Sequence, residues 1–347
     1  MSERIAFVFP GQGSQAVGMG AEVYRASPAA RRVYDLADAA LGFPLSRLCF
    51  EGPEEALRET INTQPALVAT SLALLAALQE AAGAALPHTG EPLLLEPLQP
   101  DYTAGHSVGE YAAVAASGAL GVEDAVRLVR ERGRLMHAEG SVCPSGMAAV
   151  LGLDAATLEA VCAEATEQTR AALGPDEPHP GAGRVVVAND NAPGQIVLSG
   201  AQPALERAME LARERGAKRV VPLAVSGAFH SPVMAPAARG LAEAVYAAPL
   251  RDARVPVIAN ISAAPLTLAT DLRAELARQI ESPVQWTQSV LYLAARNVTM
   301  FVEIGAGQVL AGLIKRIAKG VTTLSLGSAA DVAPVAAALR LRERTGN

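Results

Sequence analysis

Between Gly146 and Val225 the sequence reads as a strand (Met147–Leu153), a helix (Ala155–Ala172), two strands (Val185–Ala188 and Gln195–Leu198), a helix (Ala204–Glu214) and a strand (Arg219–Val225). This β-α-β-β-α-β order is complete within 80 residues and can close on its own. It therefore constrains everything around it: 144–225 reads as a small domain inserted into a larger, discontinuous one formed by 1–143 and 226–347. The cleft between two such parts is where a site is expected.

Outside the insert, apolar strand-like runs alternate with helical patterns, which predicts an α/β fold with a mostly parallel sheet covered on both faces. Residues 5–9 form the first strand and run into a Gly-rich turn. Helices are expected from about Ser27, with Pro28 in the first turn, and from near Pro53 and Pro65. The stretch 87–100 holds four prolines and reads as a loop. A short strand leads into Gly105, followed by helices over Glu110–Ala116 and Val122–Ala138. Later strands are expected over Val255–Ala259, Thr299–Ile304 and Val321–Leu326, with a helix ending near Gln279.

A net charge of −6 gives no field that would gather nucleic acid or anionic lipid. Cys49, Cys143 and Cys162 are widely spaced and form no CxxC pair, so neither a disulfide framework nor a zinc site is expected. The apolar stretch between Gln64 and Gln79 is fourteen residues long, short of the roughly 20 that span a bilayer. The N-terminal apolar run is too short for a signal peptide. A reducing cytoplasm and no membrane insertion are the expectation.

Gly105-His106-Ser107-Val108-Gly109 lies between a β-like segment and a helix, the context in which G-x-S-x-G presents a nucleophilic serine. Free N–H groups at the helix start would stabilise an oxyanion there. The same residues also fit a capping box, with Ser107 as cap and Glu110 three residues on. From the motif alone both readings stand.

A nucleophilic serine needs a base, and the chain has five histidines. His88 and His179 lie among Pro and Gly and read as solvated loop residues. His106 adjoins the serine, where neighbouring side chains diverge. His137 sits near a helix end and favours its dipole. His230 follows the last strand of the insert and returns the chain to the larger domain, so it is the preferred base; capping of the following helix is its alternative. Arg132, in Arg130-Glu131-Arg132-Gly133, reads by itself as one more solvated arginine near a helix terminus. Only in a cleft would its guanidinium grip a carboxylate.

Gly11-Gln12-Gly13 with Ala16 approximates a dinucleotide fingerprint, but Asp35 and Asp38 fall in a helical pattern rather than at a strand end. Gly305-Ala306-Gly307 lacks a third glycine, and neither turn has a phosphate-binding lysine. Nucleotide binding is not expected.

Taken together and in order, Phe9-Pro10-Gly11-Gln12-Gly13-Ser14-Gln15, Gly105-His106-Ser107-Val108-Gly109-Glu110-Tyr111, Arg130-Glu131-Arg132-Gly133, Asn191-Ala192-Pro193-Gly194-Gln195, Gly227-Ala228-Phe229-His230-Ser231, Pro283-Val284-Gln285-Trp286-Thr287 and Glu303-Ile304-Gly305 resemble the malonyl-CoA:acyl carrier protein transacylases over nearly the whole chain. The resemblance implies an α/β-hydrolase-like large domain with an inserted ferredoxin-like (βαββαβ) small domain. It also implies malonyl transfer from malonyl-CoA to acyl carrier protein for fatty acid biosynthesis, with no metal or bound cofactor.

By the same resemblance Ser107 is the nucleophile, His230 the base, and the backbone N–H groups of Gln12 and Val108 the oxyanion hole. Arg132 pairs with the malonyl carboxylate, and the backbone carbonyl of Gln279 orients His230. Phe229 is similar to malonyl-selective members. Stretches 87–100 and 169–183 are longer than in compact members. A serine esterase or thioesterase, a polyketide acyltransferase and a non-catalytic scaffold are the alternatives. An esterase would place an acid between serine and histidine, where Asp190 is a loop candidate.

Overall fold

The computed structural model of the chain describes residues 4–85, 89, 91, 93, 97–173 and 179–345, the side chains of 341–345 excepted. His88, half of the proline-rich stretch 87–100 and residues 174–178 lie outside the described residues.

The strands, in chain order, are β1 (Arg4–Phe9), β2 (Tyr102–Gly105), β3 (Ser145–Leu151), β4 (Val185–Ala192), β5 (Gln195–Ala201), β6 (Arg219–Pro222), β7 (Val257–Ile258), β8 (Pro265–Leu266), β9 (Val298–Ile304) and β10 (Thr322–Leu326). They form two sheets, in the orders β10-β9-β1-β2-β7-β8 and β4-β5-β3-β6.

The first sheet is parallel except for the short β8, which pairs antiparallel with β7. Successive side chains of a strand point to opposite faces. Along β1, Phe7 and Phe9 therefore enter one apolar cluster while Ala6 and Val8 enter another. A strand buried on both faces reads as an unbroken apolar run, as residues 5–9 do. The register pairs Phe9 with Gly105 and Ala104 with Ile258. The C-terminal ends of β1, β2 and β7 thus meet at one edge, where ligands bind in open parallel sheets.

The second sheet is wholly antiparallel. The helices Ala155–Ala171 and Gln202–Glu214 cover it, their apolar side chains joining those of the strands in a separate core. Asp154 caps the first of these helices, its carboxylate accepting the Thr157 N–H at 2.8 Å. The sheet is anchored to the rest of the chain through β4: Asp190 N–H donates to the Val284 carbonyl and Val284 N–H to that of Ala188. Asp190, expected in a loop, is therefore in a strand, its carboxylate accepting the Thr287 hydroxyl at 2.8 Å.

The apolar stretch after Gln64 belongs to a longer helix, Thr60–Ala81, which packs against Val122–Val142 at the centre of the main core. It is apolar on every side because it is enclosed on every side. By length and composition alone it could cross a membrane, yet 89% of that window is buried within the fold.

The sequence places a helix start near Pro65, whereas the helix begins five residues earlier with the proline inside it. Proline has no N–H for the carbonyl four residues back. Here that carbonyl, Ile61, accepts from Arg130 Nη1 at 2.9 Å instead. The helix Pro28–Leu41 starts as its sequence indicates, with the Ser27 side chain accepting from Ala30 N–H. Helices Ala21–Ala26, Leu45–Glu51, Trp286–Ala295, Val309–Ile317 and Ala329–Thr345 are not among those expected from the sequence.

Candidate active site

The segment after β2 turns sharply into the helix Gly109–Ala116 with Ser107 at φ 51. Only a backbone free of Cβ fits around it. A methyl on Gly109 would lie 2.1 Å from the Phe9 carbonyl oxygen, and one on Gly11 would lie 2.6 Å from that of His106. The two glycine-bearing turns therefore interlock, which seats Gln12 beside Ser107 and Val108 on the wall of a cleft of about 440 Å3. Gly11 serves this close approach, and Gly13 the positive φ of the turn, at 104. Among the described residues, neither the Gln12 nor the Val108 backbone N–H has a partner within the protein, so both are free to donate.

The capping-box alternative for Ser107 is not realised. Val108 occupies the cap position without a side-chain bond, and Glu110 points into the interior. Ser107 Oγ instead lies 2.8 Å from His230 Nε2. His230 too is in the left-handed region, at φ 58, a conformation that costs energy in a non-glycine residue and recurs at functional sites. Its Nδ1 lies 3.0 Å from the carbonyl oxygens of both Gln279 and Ser282. Carbonyls only accept, so Nδ1 carries the proton and Nε2 is left to accept from the serine hydroxyl. Gln279 thus stands where it is expected, joined by Ser282. Burial, with the positive charge of Arg132 next, pushes the His230 pKa down to about 3, which keeps the imidazole neutral and its Nε2 lone pair available. The helix-capping alternative falls to Ser231, whose hydroxyl accepts from Val233 N–H.

Arg132 is not the solvated residue its position suggests. The helix continues to Val142, so residue 132 lies mid-helix rather than near its end, and the side chain is 1% exposed. Its Nη2 donates to Ser107 Oγ at 3.0 Å and to Gln279 Oε1 at 2.8 Å, and its Nη1 donates to Gln64 Oε1 at 2.8 Å. No ion pair among the described residues includes it.

Two features lie beyond sequence reasoning. Asn260, just past β7, accepts the Ser107 N–H on Oδ1 and donates from Nδ2 to the Gly105 carbonyl, both at 2.7 Å. Behind it Glu110 Oε1 accepts the Asn260 N–H and Glu275 Oε1 the Ile261 N–H. Burial and the neighbouring Glu275 hold Glu110 well above the usual carboxylate range. The place of Asn260 just past the C-terminal end of β7 is the signal that could have found it, but its partner Ser107 is 153 residues away.

Among the described residues, the other histidines do not reach the serine hydroxyl. His106 Nε2 pairs with Asn191 Oδ1 at 2.7 Å and its ring meets Trp286 edge-on. His179, expected to be solvated, is only 12% exposed and pairs with Glu139 at 2.8 Å. His137 is exposed on its helix. Asp190 is not a hydrogen-bond partner of His230 among the described residues: its carboxylate accepts from Thr287, and His230 Nδ1 is taken by the two carbonyls.

Residues 6–339 match the model of the acyl transferase domain. The malonyl CoA-acyl carrier protein transacylase of Bacillus subtilis is 45% identical over 323 residues, covering 93% of each chain. The chain belongs to this transacylase family. The Escherichia coli K12 transacylase is 40% identical over 339 residues, covering 97% of this chain and 99% of that one. Among solved transacylase structures, the acyl-carrier-protein-S-malonyltransferase of Bartonella henselae has a TM-score of 0.86 at 38% identity, covering 99% and 100% of the two chains. A malonyl-transacylase solved in complex with a type II polyketide acyl carrier protein has a TM-score of 0.84 at 34% identity, covering 96% and 99%. The mixed α/β architecture with its parallel-rich central sheet is that of the transacylases.

Proposed function

We propose that the chain transfers malonyl from malonyl-CoA to the phosphopantetheine thiol of acyl carrier protein through a malonyl ester on Ser107, supplying extender units for fatty acid biosynthesis. One observation carries this reading: a single atom, Ser107 Oγ, is within hydrogen-bond distance of both a neutral imidazole and a buried guanidinium. The first activates a nucleophile, and the second recognises an acyl group that ends in a carboxylate.

In the first half-reaction His230 Nε2 takes the hydroxyl proton as Ser107 Oγ attacks the thioester carbonyl. The free N–H groups of Gln12 and Val108 receive the oxyanion, and removing one such donor costs about 2.7–4 kcal/mol in barrier. The tetrahedral intermediate collapses with loss of the CoA thiolate, which takes the proton back from His230. In the second half-reaction the carrier-protein thiol gives its proton to the same nitrogen, attacks the ester, and Ser107 leaves with that proton. The carbonyls of Gln279 and Ser282 hold the transient imidazolium in the role an aspartate has elsewhere. Neither half-reaction requires a cofactor.

Arg132 holds the malonyl carboxylate throughout. An acyl group without one leaves a buried cation unpaired, which disfavours acetyl and longer neutral chains. The β-α-β-β-α-β segment supports a ferredoxin-like domain over 144–225, set into an α/β-hydrolase-like domain of 1–143 and 226–347. Three buried free thiols fit a reducing, cytoplasmic setting.

Incubation with malonyl-CoA and intact-mass measurement tests the proposal. A malonyl adduct that Ser107→Ala abolishes, and that passes to carrier protein, is expected. Rapid hydrolysis with no adduct would indicate a thioesterase instead.

A further inference from the structure

Arg132 is a fully buried cation whose protein partners are all neutral. Gln64 Oε1 accepts from Nη1, Gln279 Oε1 and Ser107 Oγ accept from Nη2, and Nε has no partner among the described residues. Both glutamines are themselves buried and held. Gln64 Nε2 donates to Met136 Sδ at 3.3 Å, and Gln279 Nε2 donates to the Ser107 carbonyl at 2.9 Å and to Glu110 Oε2. Gln279 therefore stands as a spacer between the guanidinium and an acid, Glu110, reached through its other end. Glutamate has nearly the shape of glutamine. A carboxylate at either position would reach the same nitrogens and form a bidentate or charge-assisted pair far stronger than an amide contact. A buried charge without a counter-ion is costly, so a guanidinium held only by neutral groups is a feature that needs a function.

We infer that Gln64 and Gln279 form a neutral clamp that positions Arg132 while leaving it without a counter-ion, and that these two amides thereby set the preference for acyl groups ending in a carboxylate. The clamp rests on the acyl-transfer reading above. It fixes the guanidinium through dipoles, which orient without neutralising, so that the strongest acceptor available to Arg132 is the one the substrate brings. An acid at either position would satisfy the arginine beforehand and repel the incoming carboxylate. Burial and Glu275 raise Glu110 well above the usual carboxylate range, and Gln279 stands between this acid and the guanidinium, so no carboxylate touches Arg132 directly. The two glutamines act through Arg132 and are positioning residues. The carbonyl that orients His230 is backbone and persists in every variant at 279.

The test is the single-turnover rate of Ser107 acylation by malonyl-CoA and by acetyl-CoA, followed by intact mass, in Gln64→Glu, Gln279→Glu, Gln64→Met and Gln279→Met. The malonyl-to-acetyl ratio is expected to fall by at least about tenfold in each glutamate variant, since like charges placed together in a buried contact repel strongly. The methionine variants remove an acceptor without adding charge, so their ratio is expected to stay above that of the matching glutamate variant. The two sites are independent, and one folded glutamate variant suffices. Glutamate variants that slow both substrates equally, or methionine variants that lower the ratio as far as glutamate does, overturn the clamp. Absence of a malonyl adduct in the unmodified protein would overturn the underlying reading instead.

Discussion

Asn260 bridges the turn that carries Ser107, accepting the serine N–H and donating to the Gly105 carbonyl at 2.7 Å each. The same contact takes the Ser107 N–H out of contention as an oxyanion donor and leaves that task to Val108 and Gln12. It also holds the serine in a left-handed conformation that the backbone would otherwise relax.

Replacing Asn260 with Ala is therefore expected to lower the acylation rate by about 10²-fold, the scale of a displacement of about 1 Å at a reacting group. The loss should appear in kcat, with KM for malonyl-CoA nearly unchanged, in protein that remains folded by near-ultraviolet circular dichroism. A fall in melting temperature with an unchanged rate would make Asn260 merely structural.

The neutral, depressed state of His230 predicts an unusual pH profile. A histidine at its ordinary pKa near 6.5 would lose base function as the pH falls through that value. With the pKa pushed down to about 3, single-turnover acylation should remain level well below 6.5, its acid limb set by unfolding rather than by the base. A limb centred on 6.5 would contradict the depressed value.

Glu110 and Glu275 are both raised, chiefly by burial. Unfolded carboxyls ionise near 4.5 while the folded pair retains its proton, so the stability they contribute is complete below that value and is lost as the pH rises through the folded pKa values. Glu275→Gln offers Glu110 an N–H in place of the shared proton. The stability of this variant relative to the unmodified protein is expected to rise as the pH climbs above the unfolded carboxyl value, by on the order of 1 kcal/mol, and thermal melts of both proteins across a pH series measure it. Melting temperatures that keep a constant separation would count against a shared proton.

Gly133 adjoins Arg132 where its helix meets Thr60–Ala81, and a Cβ there would lie 2.8 Å from the Thr60 carbonyl oxygen. Gly133→Ala should force the helices apart at a cost of about 1–3 kcal/mol. Malonyl acylation should suffer more than acetyl, since the displacement carries Arg132 away from Ser107. Thermal denaturation and the two acylation rates measure both effects.

What the sequence discloses depends on how far apart the cooperating residues lie. The strand–turn–helix around Ser107 is local, and so are its flanking glycines, hence the nucleophile is legible as one of two readings. His230 emerges by elimination among five histidines, because its place after the insert can be read from element order. Arg132 reads wrongly from its own residues: helical periodicity gives no hint that Gln64 and Gln279, 68 and 147 residues away, enclose it. His179 fails for the same reason, since Glu139 lies outside its own loop. Asn260 and Glu275 come from segments with no chemical motif, and only the register of β7 against β2 brings Asn260 to the serine.

The proline inside the helix Thr60–Ala81 has an effect that reaches the substrate. Pro65 leaves the Ile61 carbonyl vacant, and Arg130 fills it from the neighbouring helix while also bonding Asn62. Two residues further along that helix, Arg132 meets Gln64, the residue just before the proline. Sliding either helix would empty both contacts together. The gap in the hydrogen-bond ladder is thus an index mark, and it calibrates how far a guanidinium extends towards a serine hydroxyl on another element of the fold.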